Sequence, residues 1–318
     1  MPDLPPLLLS RDRLSHDLTP NELAKRVKAG ALVRLRHGVY TEGPRWRTLA
    51  PWEQYRLRVQ AAAETFQKPT VFARRSAASV WGIPFVGYSH PVAALTMKND
   101  GGRSRCGVQR HFTAGAGLQV VQREGLLVTS RLRTVLDLAA FLPFAEAVPA
   151  MDHVLRPDPA HSLPALTKAE LEDAVGATYS AAASRRIRAV LGFADPLSES
   201  VGESLSRAVI HLAGFEAPIL QQRFSDAGGL VGYVDFCWKW SRVVGEFDGE
   251  TKYVKPEYLR GKTVSQVVVA EKNRENRIRA LGFDVVRWDW AELRRPGALE
   301  RKLAAAGAPR RRTRSAGS

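Results

Sequence analysis

Residues 232–253 read GYVDFCWKWSRVVGEFDGETKY and contain two short runs of β-branched and aromatic residues, 233–238 and 242–247. Such runs, separated by only a few residues, are typical of two neighbouring strands in a hairpin. Each run carries an acid at a position where a buried strand favours an apolar residue, Asp235 in the first run and Glu246 in the second. The sequence therefore predicts a hairpin that holds carboxylates where their burial is costly.

A further acid, Asp248, lies two residues after Glu246, and side chains two apart in a strand share one face. Carboxylates gathered on one edge repel each other and lose hydration unless a cation or a proton compensates. Oxygen ligands without converging His or Cys suit Mg²⁺ or Mn²⁺, so Asp235 and Glu246 are predicted metal ligands. Lys252 and Lys272 are the candidates for orienting an attacking water.

The motif VDFCWKWSRVVGEFDG, an acid, a hairpin and then Glu-x-Asp-Gly, resembles the PD-(D/E)xK nuclease superfamily and most closely its very-short-patch-repair-like branch. The resemblance covers about residues 196–293. It implies that Asp235 is the first motif acid, that Glu246 is the second, and that Glu203 is the acid of the first core helix. It also implies DNA as the substrate.

The chain departs from this family at the lysine, because Asp248 occupies the position of the family's Glu-x-Lys lysine. The water-orienting role then passes to Lys252 or to Lys272. An apolar stripe on the second helix, Val267, Ala270, Ile278 and Leu281, places Glu271 on the inward side as a further site acid. Lys272 lies about 100° round the helix from Glu271, which favours Lys252.

The alternative for these acids is that they face solvent at strand ends or pair with arginines, which a chain this basic supplies.

A strand is predicted over residues 283–290, with Trp288 and Trp290 on one face and in the core.

The composition points to a polyanionic partner. Lys and Arg number 47 against 32 Asp and Glu, giving a net charge of +15, and such an excess favours nucleic acid or an anionic membrane surface as the partner. No apolar run is long enough for a membrane span, so a soluble cytoplasmic protein without membrane contact is expected. The two cysteines predict neither disulfides nor a zinc site. The oligomeric state stays open.

The first fifty residues predict a small DNA-binding module. Thr19, Pro20 and Glu22 form a capping box that begins a helix ending at Gly30, and residues 32–40 alternate around a turn at His37 as a hairpin. A short helix at about residues 10–16 precedes them, giving a winged helix-turn-helix arrangement. The stretch GALVRLRHGVY resembles the N-terminal domain of AbiEi-type antitoxins, which implies DNA binding. The alternative is a packing module with solvated basic residues.

The predicted DNA contacts in this module are Lys25, Arg34 and Arg36, the two arginines on one face of the hairpin.

The middle of the chain predicts an α+β scaffold. Helices are expected over residues 76–82, 130–139 and 184–191 and after Thr167, and strands over 92–96, 108–111 and 126–129. The segments FARRSAASVWGIP and TSRLRTVLDLA also resemble AbiEi-like proteins.

The predicted fold class is mixed α/β in four parts. They are a winged helix-turn-helix module at 1–50, the α+β scaffold at 51–192, a restriction-endonuclease-like mixed sheet flanked by helices at 193–306, and a disordered basic tail at 307–318. Two functions are consistent with this layout. One is a Mg²⁺- or Mn²⁺-dependent DNA endonuclease, and the other is a non-enzymatic, antitoxin-like repressor that keeps the nuclease fold as a binding surface.

Overall fold

The computed structural model describes residues 4–15, 19–97, 106–113, 118–176, 178–249 and 263–311. Its helices are α1 Pro20–Lys28, α2 Gly43–Thr48, α3 Pro51–Ala63, α4 Arg74–Trp81, α5 Arg131–Phe141, α6 Phe144–Val154, α7 Lys168–Val175, α8 Ala181–Phe193, α9 Val201–Leu212, α10 Val264–Ala280, α11 Trp290–Arg294 and α12 Ala298–Ala305. Its strands are β1 Leu8–Leu9, β2 Leu32–Arg36, β3 Val39–Glu42, β4 Val71–Phe72, β5 Val92–Thr96, β6 Val108–Phe112, β7 Val120–Arg123, β8 Leu126–Thr129, β9 Ile219–Asp226, β10 Gly229–Trp238, β11 Val243–Phe247 and β12 Asp284–Trp288.

The chain divides into two compact units, and mixed α/β structure is present in both. Unit 1 comprises Met1–Pro143 and His153–Phe193, and unit 2 comprises Phe144–Asp152 and Ala194–Ser318. Within the described residues, no helix combines the length and the apolar character needed to cross a membrane.

Unit 1 begins with a three-stranded sheet in the order β1-β3-β2. The predicted capping box is confirmed, since the Thr19 hydroxyl accepts from the Glu22 backbone N–H and the Glu22 carboxylate accepts from the Thr19 N–H. The predicted hairpin is also confirmed as β2 and β3. A 3₁₀ helix, Ser10–Ser15, lies where a short preceding helix was expected.

A five-stranded sheet in the order β6-β5-β4-β8-β7 forms the rest of the strand structure of unit 1. The three predicted strands of the middle segment are confirmed as β5, β6 and β8, and the helix capped by Ser130 is α5. The two-residue strand β4 and the half-exposed β7 were not predicted. Both lack the run of alternating apolar residues that marks a strand. The buried Ser76 hydroxyl of α4 connects α3 to β5 through hydrogen bonds. It lies 3.0 Å from Tyr55 Oη of α3 and accepts from the Ala93 N–H of β5 at 2.8 Å.

Unit 2 contains a four-stranded sheet in the order β12-β11-β10-β9. The neighbouring strands β9, β10 and β11 are antiparallel, and β12 runs parallel to β11 because α10 returns the chain between them. Buried aromatic rings fill its core, and the Trp288 indole stacks on Phe236 with ring centroids 5.3 Å apart. The Trp288 N–H donates to Ser206 Oγ at 2.7 Å, which attaches α9 to the sheet.

Three expectations for unit 2 are corrected. The strand ends at Trp288, and Trp290 begins α11, where it packs edge-on against Phe247. Ala270 is exposed, so the buried stripe of α10 is confined to its C-terminal half around Ile278. The basic tail begins later than residue 307, because the Arg310 guanidinium donates to the Ala213 carbonyl at 2.8 Å and pairs with Glu300. Residues 312–318 lie outside the described part of the chain.

Two glycines in helices provide a test of packing. A Cβ at Gly202 of α9 would lie 1.9 Å from the Phe247 ring, whereas a Cβ at Gly192 of α8 would meet nothing within 4 Å. We expect Gly202→Ala to lower the free energy of unfolding by about 1–3 kcal/mol through overpacking. Gly192→Ala should raise it by up to about 1 kcal/mol through helix propensity. Urea denaturation followed by circular dichroism measures both. Equal effects of the two substitutions would contradict the packing of α9 on β11.

Candidate functional site

The strand register brings Asp235 and Glu246 to one edge of the unit 2 sheet. Phe236 pairs with Gly245 across β10 and β11, and continuing this antiparallel register by one residue sets Asp235 opposite Glu246. The Asp235 Oδ2 atom accepts a hydrogen bond of 2.8 Å from the Phe247 N–H. Opposed residues of an antiparallel pair point to the same face, so the two side chains share one face of the sheet.

Glycine is required at position 245 for this arrangement. A Cβ there would approach the Trp288 ring to 2.5 Å, so only glycine lets β10, β11 and β12 pack at this point. All five residues of β11 are buried, and the Glu246 side chain is only 5% exposed. A buried carboxylate needs charged partners to remain ionised.

Two arginines supply those partners. The Arg274 Nη2 atom of α10 lies 2.6 Å from Glu246 Oε1, and the Arg287 Nη2 atom of β12 lies 2.7 Å from Glu246 Oε2. The parallel register pairs Arg287 directly with Glu246. Both oxygens of the buried acid are therefore held, one by a helix and one by a strand.

The same arginines bind further acids. Arg274 bonds to both oxygens of Glu271, at 2.6 and 3.1 Å, and Arg287 also donates to Glu271. Arg287 pairs in addition with Asp248 at 3.3 Å and with Glu275 at 3.2 Å. We call this group the carboxylate–arginine cluster; its members are Glu246, Asp248, Glu271, Glu275, Arg274 and Arg287.

Burial and hydrogen bonding shift the pKa values of the cluster in different directions. Burial raises the pKa of Glu246, against the opposing effect of Arg274 and Arg287. Burial also acts to raise the pKa of Glu271, but the hydrogen bonds from the two arginines outweigh it and lower that pKa to about 2. The pKa values of both arginines are raised because their bonds to Glu271 and the charge of Glu246 outweigh desolvation.

The structure brings together three of the predicted acids, Glu246, Asp248 and Glu271, and joins Asp235 to them through the Phe247 backbone. The Glu203 carboxylate has different partners from these acids. It accepts from the Glu199 N–H at 2.9 Å and from Gln221 Nε2 at 3.2 Å.

The predicted basic residues have different positions. Lys272 is exposed on α10, as its angle from Glu271 predicted, and Lys252 lies outside the described residues. In unit 1, Lys25 and Arg34 are exposed. Arg36 is half-buried, and burial lowers its pKa, so it is less accessible than Arg34; that both lie on one face stays a prediction. The β2–β3 pair has a register shift between Arg34 and Arg36.

The sequence reasoning missed Arg274 and Arg287, because it searched for a lysine as the cation of the site. Two signals point to them. Arg274 follows Glu271 by three residues, a spacing at which helix side chains meet. Arg287 lies between Val286 and Trp288 in a buried strand, which is the same anomaly that identified Asp235 and Glu246.

Two curated proteins of Mycobacterium tuberculosis are similar to this chain over nearly its whole length. They are Uncharacterized protein Rv2248 of strain H37Rv and Uncharacterized protein MT2308 of strain CDC 1551. Each is 30% identical over 292 residues, which span 90% of this chain and 96% of the relative. The chain belongs to the family of these mycobacterial proteins.

Two other comparisons add no functional information about this family. No family model matches the chain. The crystal structure of RV2827C protein from Mycobacterium tuberculosis is similar with a TM-score of 0.37 and 16% identity, covering 70% of this chain and 84% of that one. A similarity of this size supports no statement about fold or function.

The low pKa of Glu271 predicts a pH dependence of stability. A carboxyl group whose pKa is lowered on folding stabilises the native state above its ordinary pKa of 4.5, and this contribution is lost as the pH falls toward about 2. We expect the wild-type free energy of unfolding to fall more steeply between pH 4.5 and 2 than that of Glu271→Gln. Urea denaturation at several pH values measures the difference. Parallel pH profiles would show that Glu271 is not ion-paired in solution.

Proposed function

We propose that unit 2 is a metal-dependent DNA endonuclease domain of the PD-(D/E)xK type and that unit 1 holds the DNA. One observation carries the proposal: Asp235 accepts from the Phe247 N–H, next to Glu246 on the adjacent strand, and Arg287 joins Glu246 to Asp248 and Glu271. A mixed sheet flanked by helices, with its acids on two adjacent strands, is the arrangement that the sequence resemblance implies.

The residues at this edge offer the oxygen donors that a hard divalent cation takes, and among the described residues no three His, Cys, Asp or Glu side chains are arranged to hold a metal ion. Within the described residues, the carboxylates of Glu246, Asp248, Glu271 and Glu275 pair with the guanidiniums of Arg274, Arg287 and Arg279, and Asp235 accepts from the Phe247 N–H. The donors are oxygens, which Mg²⁺ and Mn²⁺ prefer, and a carboxylate accepts about four bonds, so an arginine-bound oxygen keeps acceptor capacity.

Asp235 and Glu246 would hold the ion, which when bound would neutralise charge on the phosphate oxygens and lower the pKa of water. The chain's own residues supply orientation and positive charge. Arg274 and Arg287 fix the Glu246 carboxylate between α10 and β12 and place two guanidiniums at the edge where a phosphodiester would enter. Guanidinium groups match phosphate geometry in two bonds. Whether Lys252 orients the water stays a prediction, because that residue lies outside the described part of the chain.

A specific observation favours a second candidate, a repressor that binds DNA without cutting it. Both oxygens of Glu246 already have guanidinium partners at 2.6 and 2.7 Å, so the buried charge is compensated without a metal. This is the arginine-paired alternative that the sequence left open. In this case the cluster serves only to hold β11, β12 and α10 together.

Isosteric substitutions separate the two candidates. We expect Asp235→Asn and Glu246→Gln each to reduce Mg²⁺- or Mn²⁺-dependent plasmid cleavage about a hundredfold or more, because both would remove a ligand charge while retaining side-chain volume. DNA affinity in EDTA should change little. Cleavage is followed by agarose gel electrophoresis of supercoiled plasmid.

The matched control is Asp173→Asn, which removes an exposed carboxylate of α7 that lies outside the cluster. It should cut at the wild-type rate. Wild-type protein that never cuts with either metal, yet binds DNA, would replace the endonuclease proposal with the repressor.

The basic surface of unit 1 supports DNA binding. The last turns of α1 carry the exposed cations Lys25, Arg26 and Lys28, and Arg34 is exposed on the adjoining hairpin. Leu23 and Leu32 are buried beneath them, so the helix and hairpin present their charged sides outward. We propose that this module acts as the winged-helix-like DNA contact that the AbiEi resemblance implies, with Arg34 rather than Arg36 as the phosphate-binding arginine.

We expect Arg34→Ala to weaken binding to duplex DNA and to lower the slope of log K against log salt by about 0.9, the loss of one phosphate contact. Arg188→Ala is the control, since it removes the same charge from the surface of α8, where Arg188 is 53% exposed and paired with Glu172. Fluorescence anisotropy over a salt series measures both. Equal slopes for the two variants would remove the module from the DNA interface.

A further inference from the structure

The turn between β10 and β11 presents a tryptophan to solvent. Trp240 is 95% exposed, more than any other large apolar side chain among the described residues. Turn positions favour glycine, asparagine, aspartate and serine, and leaving a large aromatic ring in water forgoes the free energy of its burial. Neither turn geometry nor core packing accounts for a tryptophan here.

The turn that carries Trp240 is firmly held. The Arg242 N–H donates to the Lys239 carbonyl at 3.3 Å, closing a four-residue turn, and Arg242 has a left-handed φ of 53°. The Arg242 guanidinium donates to the Leu281 carbonyl at 2.9 Å and lies over the Phe283 ring. The Asp284 N–H donates to the Arg242 carbonyl at 2.8 Å. The ring is thus presented from a fixed backbone, which lowers the entropic cost of a contact.

The charge around the ring favours an anionic partner. Lys239 and Arg242 flank Trp240 and are both exposed. Asp284 lies on β12, where it pairs with Val243 at the end of the turn. Its carboxylate is 3.9 Å from the Arg279 guanidinium. Arg279 also pairs with Glu275, so Lys239, Arg242, Arg279, Asp284 and Glu275 together carry a net charge of one positive unit. An exposed aromatic ring between cations matches the chemistry of single-stranded nucleic acid, whose bases stack on the ring while its phosphates meet the cations.

We propose that Trp240 is a stacking residue for an unpaired base, and that Lys239 and Arg242 contact the adjacent phosphates. The inference rests on the proposed action on DNA for its choice of ligand. Trp240 lies five positions after Asp235 along strand and turn, a span of at most roughly 16 Å at the rise of an extended chain. A single-stranded DNA segment with one base stacked on Trp240 would therefore need only a few nucleotides to reach the sheet edge that carries Asp235 and Glu246. The substrate class that this selects is DNA with a single-stranded, frayed or flipped segment.

The test is binding of a short, fluorescein-labelled single-stranded oligonucleotide to the full chain in EDTA, by anisotropy. We expect Trp240→Ala to weaken binding roughly 5- to 100-fold and Trp240→Phe to stay near wild type, because phenylalanine still stacks. The salt slope should not change in either variant, since no charge is removed. Lys239→Ala should lower the slope by about 0.7.

A second readout is tryptophan emission. Oligonucleotide binding should quench the wild-type protein more than Trp240→Phe, by the contribution of the stacked indole. Leu212→Ala is the control, since Leu212 is an apolar side chain of unit 2 that is 62% exposed; it should bind as wild type.

Unchanged affinity of Trp240→Ala, or equal losses in the alanine and phenylalanine variants, overturns the stacking role and leaves the ring to a protein partner. Because these measurements need no cleavage, their outcome is separate from the fate of the endonuclease proposal. A protein that never cuts but loses single-strand affinity on Trp240→Ala supports the stacking site and rejects the nuclease. A protein that cuts DNA but binds the oligonucleotide equally well as Trp240→Ala supports the nuclease and rejects the stacking site.

Discussion

The buried carboxylate of Glu246 is the constraint on which unit 2 depends. A charge that is 5% exposed is stable only with close partners of opposite sign, and removing one partner of a buried pair costs about 3–5 kcal/mol. Its two partners are Arg274 of α10 and Arg287 of β12, which are 13 positions apart in sequence. Satisfying one side chain therefore fixes the positions of a helix and a strand against β11.

A second buried ion pair orders the other side of the same unit. Asp152 of α6 is fully buried, and Arg207 of α9 donates to both of its oxygens at 2.8 Å. The Asp195 N–H also donates to Asp152. Burial raises the pKa of Asp152 while Arg207 opposes the rise, as for Glu246. Because such pairs are specific in geometry rather than strongly stabilising, they determine how the helices meet the sheet, whereas the aromatic core supplies most of the apolar burial.

The carboxylate–arginine cluster links the structure of unit 2 to its proposed chemistry. The arginines that allow Glu246 to be buried also supply positive charge at the edge where the acids Asp248 and Glu271 converge. A site of this type has carboxylates for a cation and guanidiniums for a phosphate within one network. Trp240 lies at the opposite end of the same hairpin, so β10 and β11 would connect the site of the chemistry to a contact with an unpaired base.

The sequence by itself determined the local elements of this protein. The Thr19 capping box, the hairpin of β2 and β3, and the paired strands β10 and β11 follow from cap residues, turn residues and alternation, which act within a few residues. It also identified Glu246 and Asp235 as acids in costly positions. Local patterns did not predict β4, because a strand of two residues is too short to show alternation. They also did not predict where β12 ends, because an apolar residue such as Trp290 fits a strand as well as a helix.

Only the tertiary structure decided what surrounds the acids. Which cations neutralise Glu246 depends on the register of β12 against β11 and on the rotation of α10, and both are set by core contacts such as Trp288 on Phe236 and Ile278 within the sheet's other face. The half-burial of Arg36 and the register shift between Arg34 and Arg36 are likewise features that alternation alone does not show. Every arginine of this chain has a guanidinium group that could pair with Glu246. Packing of the helix and the strands brings only Arg274 and Arg287 of the described residues close enough to do so.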